Sequence, residues 1–229
     1  MPRFVGLHRR SNSHPLSVYE MEPPVISVRN LQKFYGRQRV LSIDRLDLAF
    51  NAGITLCGSN GSGKSTLLRL IAGISLPTVG TITRDMNRLG LLGYVPQAGG
   101  LVDELSVEQN LDQRRRICGL REDVEAKEEV LARAGLLDSR KKRFADLSGG
   151  RQRLAALAAA LYIRPNWLLV DEPFASIDEQ RRSEVERLIE ECTSRIALLV
   201  ITSPESAEFP FAKSKIVSLV EGRMDASDA

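Results

Sequence analysis

The stretch GSNGSGKST, residues 58–66, constrains this chain more than any other. It fits the pattern Gly-x-x-x-x-Gly-Lys-Ser/Thr, follows the apolar run Ile54–Cys57 and opens the run LLRLIA, so strand, glycine-rich loop and helix come in the order the pattern requires. Gly58, Gly61 and Gly63 let the backbone wrap closely around phosphate oxygens, with successive N–H groups and the helix dipole facing the negative charge. Lys64 would reach the outer phosphates of a nucleotide, and the Ser65 hydroxyl would complete a Mg²⁺ shell. Gly58, Ser59, Asn60, Gly61, Ser62, Gly63, Lys64, Ser65 and Thr66 therefore form the expected phosphate cradle.

A second stretch, WLLVDEP at 167–173, places Asp171 and Glu172 at the end of a short apolar strand, where ligands of open α/β sheets collect. Asp171 suits Mg²⁺, and Glu172 suits activation of water for attack on a γ-phosphate. Between the two lies LSGG. Ser148, Gly149 and Gly150 precede a run rich in Ala and Leu, so they expose backbone N–H groups at a helix N-terminus, a natural anion site.

Around these motifs strands alternate with helices. Strands are expected at 25–28, 46–50, 54–57, 91–95, 167–170, 196–202 and 216–220, several of them continuous apolar runs suited to burial on both faces. Helices are expected at 64–72, closed by Gly73, and at 107–118, where Ser106 and Gln109 have capping-box spacing. Others are expected at 124–134, at 151–163 and at 179–192. Residues 98–164 offer helices and no strong strand, which implies an α/β core interrupted by a helical subdomain. Residues 1–24 read as a flexible tail, with Met21 resembling a natural start, and 225–229 as a second short tail.

Composition narrows the class. The chain of 229 residues is 43% hydrophobic and 27% charged, with a net charge of +3, which gives no argument for nucleic acid. Arg114, Arg115 and Arg116 read as a solvated helix face. Three cysteines without metal-ligand spacing point to a reducing compartment, hence the cytoplasm. Cys57 reads as a small core hydrophobe. The longest uncharged apolar stretch, 154–163, is far short of the ~20 residues of a membrane span, so membrane contact would run through a partner.

Together these motifs resemble the ATP-binding subunits of ABC transporters. The likeness runs from about Val25 to Met224, and LSGG carries most of it, standing 84 residues beyond Lys64 and 23 before Asp171. FYG at 34–36 matches the family's adenine-stacking loop with Tyr35, although an ordinary half-buried strand aromatic would read the same. YVPQ at 94–97 matches its glutamine loop, with Gln97 on Mg²⁺ or water and coupling to a partner, and ASID at 175–178 its D-loop with Asp178. The resemblance implies an α/β phosphate-loop fold with an inserted helical subdomain and an N-terminal antiparallel β region. It also implies ATP and Mg²⁺ as ligands and a homodimer or heterodimer closed head to tail around two ATP. Ser148, Gly149 and Gly150 would then face the partner's γ-phosphate, and a separate membrane permease would be driven from the inner face of the membrane.

Two positions depart from the family. Arg151 stands where glutamine is common, and it either grips the partner's nucleotide or points to solvent. Ser203 stands where the family has a histidine on the γ-phosphate, and the chain's two histidines, His8 and His14, lie in the tail. Slow hydrolysis is the expectation. A regulatory ATP-binding module and a nucleic-acid-associated ATPase are the alternatives. Glu172 argues against the first, and the short spacing from phosphate loop to LSGG against the second.

Overall fold

The structure is a computed structural model that describes residues 25–50, 52–175, 177–193, 195–204 and 214–224. The expected tails, the two histidines and Ser176 of ASID lie outside the described residues. In chain order the elements are β1 (Ile26–Tyr35), β2 (Gln38–Leu48), β3 (Ala52–Cys57), α1 (Lys64–Ile71), β4 (Val79–Arg84), α2 (Met86–Leu89) and β5 (Leu92–Val95). There follow α3 (Val107–Ile117), α4 (Val124–Arg133), α5 (Gly149–Tyr162), β6 (Trp167–Val170), α6 (Glu179–Thr193), β7 (Leu198–Ser203), β8 (Ser214–Val220) and β9 (Arg223–Met224).

The strands form two sheets. A six-stranded sheet has the order β5-β6-β7-β3-β8-β9, parallel from β5 through β8. A three-stranded antiparallel sheet has the order β2-β1-β4. The fold is the expected α/β class with an antiparallel N-terminal region. Because successive strand residues point to opposite faces, β6 feeds two cores. Trp167 and Leu169 join the cluster built from α1 and the antiparallel sheet, while Leu168 and Val170 join the one built from α3 to α6. Helix α5 packs on α3, α4, α6 and β5, and its residues from Leu154 to Tyr162 are buried on every side.

The antiparallel sheet departs most from expectation. β1 runs on to Tyr35 instead of ending at Val28, and β2 occupies 38–48 where only 46–50 was expected. The cause is a break in register between Arg29 and Gln32, where Asn30 takes a left-handed φ of 49°. The inserted residue shifts the buried positions from Ile26 and Val28 to Leu31, so the period-2 pattern is interrupted although the strand continues. β4 has no counterpart among the expected strands. It is an edge strand whose Val79, Gly80, Thr81 and Thr83 are exposed, so it carries no apolar run.

Two helix details also change. α5 begins at Gly149, two residues before the expected start, with Ser148 as its N-cap. Arg114 and Arg115 are not a solvated face: Arg114 donates to Tyr94 O at 2.9 Å, and Arg115 donates to Tyr162 O at 3.0 Å with its guanidinium 4.7 Å from the Tyr162 ring. Long stems let both side chains lie along the core while their heads find carbonyls. The capping box at Ser106 and Gln109 forms as expected.

Gly80 (φ +84) sits against the irregularity at Asn30. A Cβ there would stand 2.2 Å from Asn30 O and 2.5 Å from Arg29 O. Gly80→Ala is expected to lower stability by at least the ~1–3 kcal/mol of a strained backbone position. The midpoint of urea unfolding reads this, and an unchanged midpoint would mean that β1 and β4 do not meet as described.

Candidate functional site

The C-terminal ends of β6, β7 and β3 lie side by side, and the residues singled out in the sequence gather there. The loop after β3 climbs from Gly58 to Gly63, the N-cap of α1, whose φ of +100 is left-handed. A Cβ at Gly63 would come within 2.6 Å of Leu41 Cδ2 and 3.0 Å of Val40 O, so β2 presses directly on the loop and only glycine fits. Lys64 is buried, and its Nζ donates to Gly58 O at 2.7 Å and to Ser59 O at 3.1 Å. The same ammonium lies 3.6 Å from Glu172 Oε1.

One carboxylate oxygen binds the strand ends together. Asp171 is fully buried, and its Oδ1 accepts from Ser65 Oγ at 2.9 Å and from Thr202 Oγ1 at 2.7 Å. Thr202 Oγ1 in turn accepts from the Glu172 backbone N–H at 2.8 Å, so a single hydroxyl fixes both acidic residues. Glu172 has a left-handed φ of 45°, and its Oε2 accepts from Gln97 Nε2 at 2.7 Å. Asp171 Oδ2 and Ser62 Oγ are buried without a hydrogen-bond partner. A buried polar atom left in this state is costly unless a ligand or water completes it.

Beside Asp171 lies a cleft of about 240 Å³ lined by Asn60, Gly61, Lys64, Ser65, Gln97 and Glu172. Thr66 also lines it, and Val40 contributes a wall from β2. An oxygen set of one serine hydroxyl, one carboxylate with a spare oxygen and one amide is of the hard kind that suits Mg²⁺. The cleft's polar edge and the convergent backbone of the loop suit a polyphosphate.

Other expected site residues stand elsewhere. Tyr35, at the end of β1, is half-exposed, with Lys33 Nζ 5.1 Å from its ring centroid. Ser203 is buried at the end of β7, opposite Cys57 in the parallel register. Ser148 and Gly149 are exposed and Ser148 makes no side-chain cap bond; none of the described residues lining the first cleft comes from this motif. Gly149 instead lines a neighbouring cleft of about 340 Å³ together with Gln97. Gly150 packs under Arg181. Arg151 does not simply point to solvent: it is paired at 3.0 Å with Asp138, holding that carboxyl below its usual range, and it donates to Ser139 Oγ.

Thr202 was missed as a site residue. Its signal was present, because a threonine interrupting the otherwise apolar run LLVI-T-S must place a hydroxyl inside the sheet, where it needs partners.

A glycine-rich loop between a parallel strand and a helix, facing an acidic pair at the end of another parallel strand of the same sheet, defines the class of phosphate-loop α/β proteins. This chain belongs to the ABC transporter family, whose sequence pattern matches residues 43–175, more than half of its length. It is 31% identical over 221 residues to the sulfate/thiosulfate import ATP-binding protein CysA of Escherichia coli K12, an overlap of 89% of this chain. The chain spans 60% of that relative's length. It is also 31% identical over 180 residues to the zinc import ATP-binding protein ZnuC of Psychrobacter cryohalolentis, covering 78% of this chain and 73% of the relative. Among solved structures, a dimeric post-hydrolysis state of the ATP-binding cassette MJ0796 bound to ADP and Pi superposes with a TM-score of 0.77 at 23% identity, covering 87% of this chain and 96% of that one. For cbiO1 of Clostridium perfringens the TM-score is 0.71 at 23% identity, over 89% and 88% of the two chains. At these identities the structures establish the fold.

Thr202→Val keeps the shape of the side chain but leaves the buried Glu172 N–H without its acceptor and Asp171 Oδ1 with Ser65 as its one remaining donor. A loss of about 1–3 kcal/mol is expected for such a group. Chemical denaturation followed by circular dichroism measures it, and a wild-type midpoint would show that the hydroxyl does not bridge the two acids.

Proposed function

We propose that the chain is the ATP-binding and ATP-hydrolysing subunit of a transporter, pairing head to tail around two ATP and driving a separate membrane permease from its cytoplasmic side. The observation that carries this reading is Asp171: a fully buried carboxylate with one oxygen held by Ser65 and Thr202 and the other without a partner, beside the cleft lined by Lys64 and Glu172. Family membership supports it, as do relatives whose names describe import ATP-binding proteins. Among the described residues no helix is long and apolar enough to cross a membrane. A permease would therefore supply any span outside them.

In this reading the phosphates lie along Ser59 to Thr66, and Tyr35 stacks on the adenine with its exposed face. Ser65, Asp171 and Gln97 would hold Mg²⁺, which when bound offsets charge on the β- and γ-phosphates. Lys64 exchanges two loop carbonyls and Glu172 for phosphate oxygens, a charge-assisted substitution at similar distance. Glu172, released from Lys64 and steadied by Gln97, accepts the proton of the attacking water. Ser148, Gly149 and Gly150 leave their N–H groups outward for the γ-phosphate on a partner subunit. Arg151, committed to Asp138, anchors the base of this helix end instead of reaching across.

Turnover is slow in this account, because Ser203 is short and buried where a histidine would donate to the γ-phosphate. Losing one donor aimed at developing charge costs roughly 10²–10³ in rate. The same feature favours a second reading, a regulatory ATP-binding module, which differs by having no turnover of use to transport.

Two experiments test these points. Glu172→Gln keeps shape and loses the base, so with Mg-ATP it is expected to sediment as a dimer, and adding Ser148→Arg is expected to return it to monomer. Persistence of the dimer would remove the motif from the interface, and a monomer throughout would point to a different subunit as partner. Ser203→His is expected to raise steady-state hydrolysis several-fold at saturating ATP with nucleotide affinity unchanged, as part of the roughly 10²–10³ of a missing donor. Equal or lower activity in a folded, ATP-binding variant would show that serine already serves.

A further inference from the structure

Arg153 lies in the second turn of α5, the helix that Ser148 opens, and its side chain leaves that helix to reach the glutamine loop. Nη1 donates to Pro96 O at 2.8 Å and Nη2 donates to Gln97 O. Gln97 then donates through its own Nε2 to Glu172 Oε2 at 2.7 Å. The links are continuous: helix, guanidinium, loop backbone, amide, carboxylate. Between helix and loop there is otherwise open space, since Gln97, Ala98, Gly149, Gln152 and Arg153 all line the cleft of about 340 Å³. The guanidinium spans that gap.

Chemistry favours arginine for this task. Its planar fork addresses two successive carbonyls from two separate nitrogens in a fixed geometry, whereas an ammonium is a single freely rotating point charge on a flexible stem. Burial pushes the Arg153 pKa down and the Asp171 and Glu172 carboxylates act in the opposite sense, so the cation belongs electrostatically to the acidic pair as well as to the loop. From Leu154 onward α5 is buried, which makes the helix a rigid carrier for both Ser148 at its start and Arg153 one turn later.

We propose that Arg153 is a positioning residue that registers the glutamine loop to α5, so that Gln97 holds Glu172 in place only while the helix bearing Ser148 keeps its position. The proposal rests on the reading above in which Glu172 activates water. It gives that reading a specific regulation: a contact at the exposed end of α5 is transmitted to the base through three hydrogen bonds. Misplacement of a catalytic group by about 1 Å is enough to cost on the order of 10² in rate.

The test is a double-mutant cycle with Gln97, supported by a measurement that needs no turnover. Arg153→Met keeps bulk and removes the donors. It is expected to lower kcat by roughly 10- to 100-fold with KM and ATP affinity within about twofold, and to add nothing further in a Gln97→Ala background. Losses that multiply would overturn the proposal, since Arg153 would then act by another route. In the nucleotide-free chain, amide exchange of the 97–100 segment is expected to quicken by ~10-fold or more in Arg153→Met. Unchanged exchange would equally overturn it. A wild type that binds ATP and never hydrolyses it would end the ATPase reading, while the exchange measurement still decides whether Arg153 holds the loop. Should Arg153→Met fail to fold, Arg153→Lys serves: a single rotating ammonium in place of the rigid fork predicts intermediate exchange, and exchange at the wild-type rate would count against the fork.

Discussion

Three parallel strands end within reach of one carboxylate oxygen, and the site exists because that oxygen is shared. Asp171 Oδ1 takes the hydroxyl of Ser65 from the start of α1 and the hydroxyl of Thr202 from the end of β7, while Asp171 itself directly follows β6. A fully buried carboxylate needs such donors, because unpaired it would be driven to protonate or to open the sheet to water. The order β6-β7-β3 is what brings the three groups together. Thr202 then orders Glu172 through its N–H, and the position of α1 brings the Lys64 ammonium to the same acid. Glycine-rich loop and acidic pair are thus one hydrogen-bonded object, in which Asp171 Oδ2 alone of that carboxylate has no hydrogen-bond partner.

How much of this could be read in the residues depended on whether the physics is local. The phosphate loop was legible because its three requirements are adjacent in sequence: a buried strand, glycines where the chain turns tightly, and a helix that begins at Lys64. Asp171 and Glu172 were legible because WLLV can only be a buried strand and two acids at its end must face a ligand edge. Thr202 and Arg153 were not, because each matters through partners far away in the chain. The antiparallel sheet was half legible. Asn30 breaks the alternation of β1, and β4 owes its place to pairing along an exposed edge, so neither carries the periodic apolar signal by which strands are recognised.

The end of α5 shows a different kind of incompleteness. Helix N-termini are ordinarily closed by a side-chain acceptor, yet Ser148 makes no such bond and Gly149 faces open space. Close by, Arg151 is fully engaged with Asp138 and Ser139, so the missing cap is not a general looseness of this segment. Gly150 is tucked under Arg181. The segment is therefore rigid in its footing and bare at its tip, the arrangement suited to a donor set whose acceptor comes from outside the chain. In the function proposed above, that acceptor is the nucleotide of a second subunit.

Glu172 carries one more implication, through its left-handed backbone. An L-residue with a side chain is less stable there by ~1–2 kcal/mol, and glycine occupies the region freely. Backbone energetics and chemistry therefore pull in opposite directions at this position. Glu172→Gly would relieve the backbone and remove the carboxylate in one step, so stability and chemistry at this position are set against each other. Under the reading proposed above, the use of this carboxylate as a base is what would offset the cost of its backbone angle.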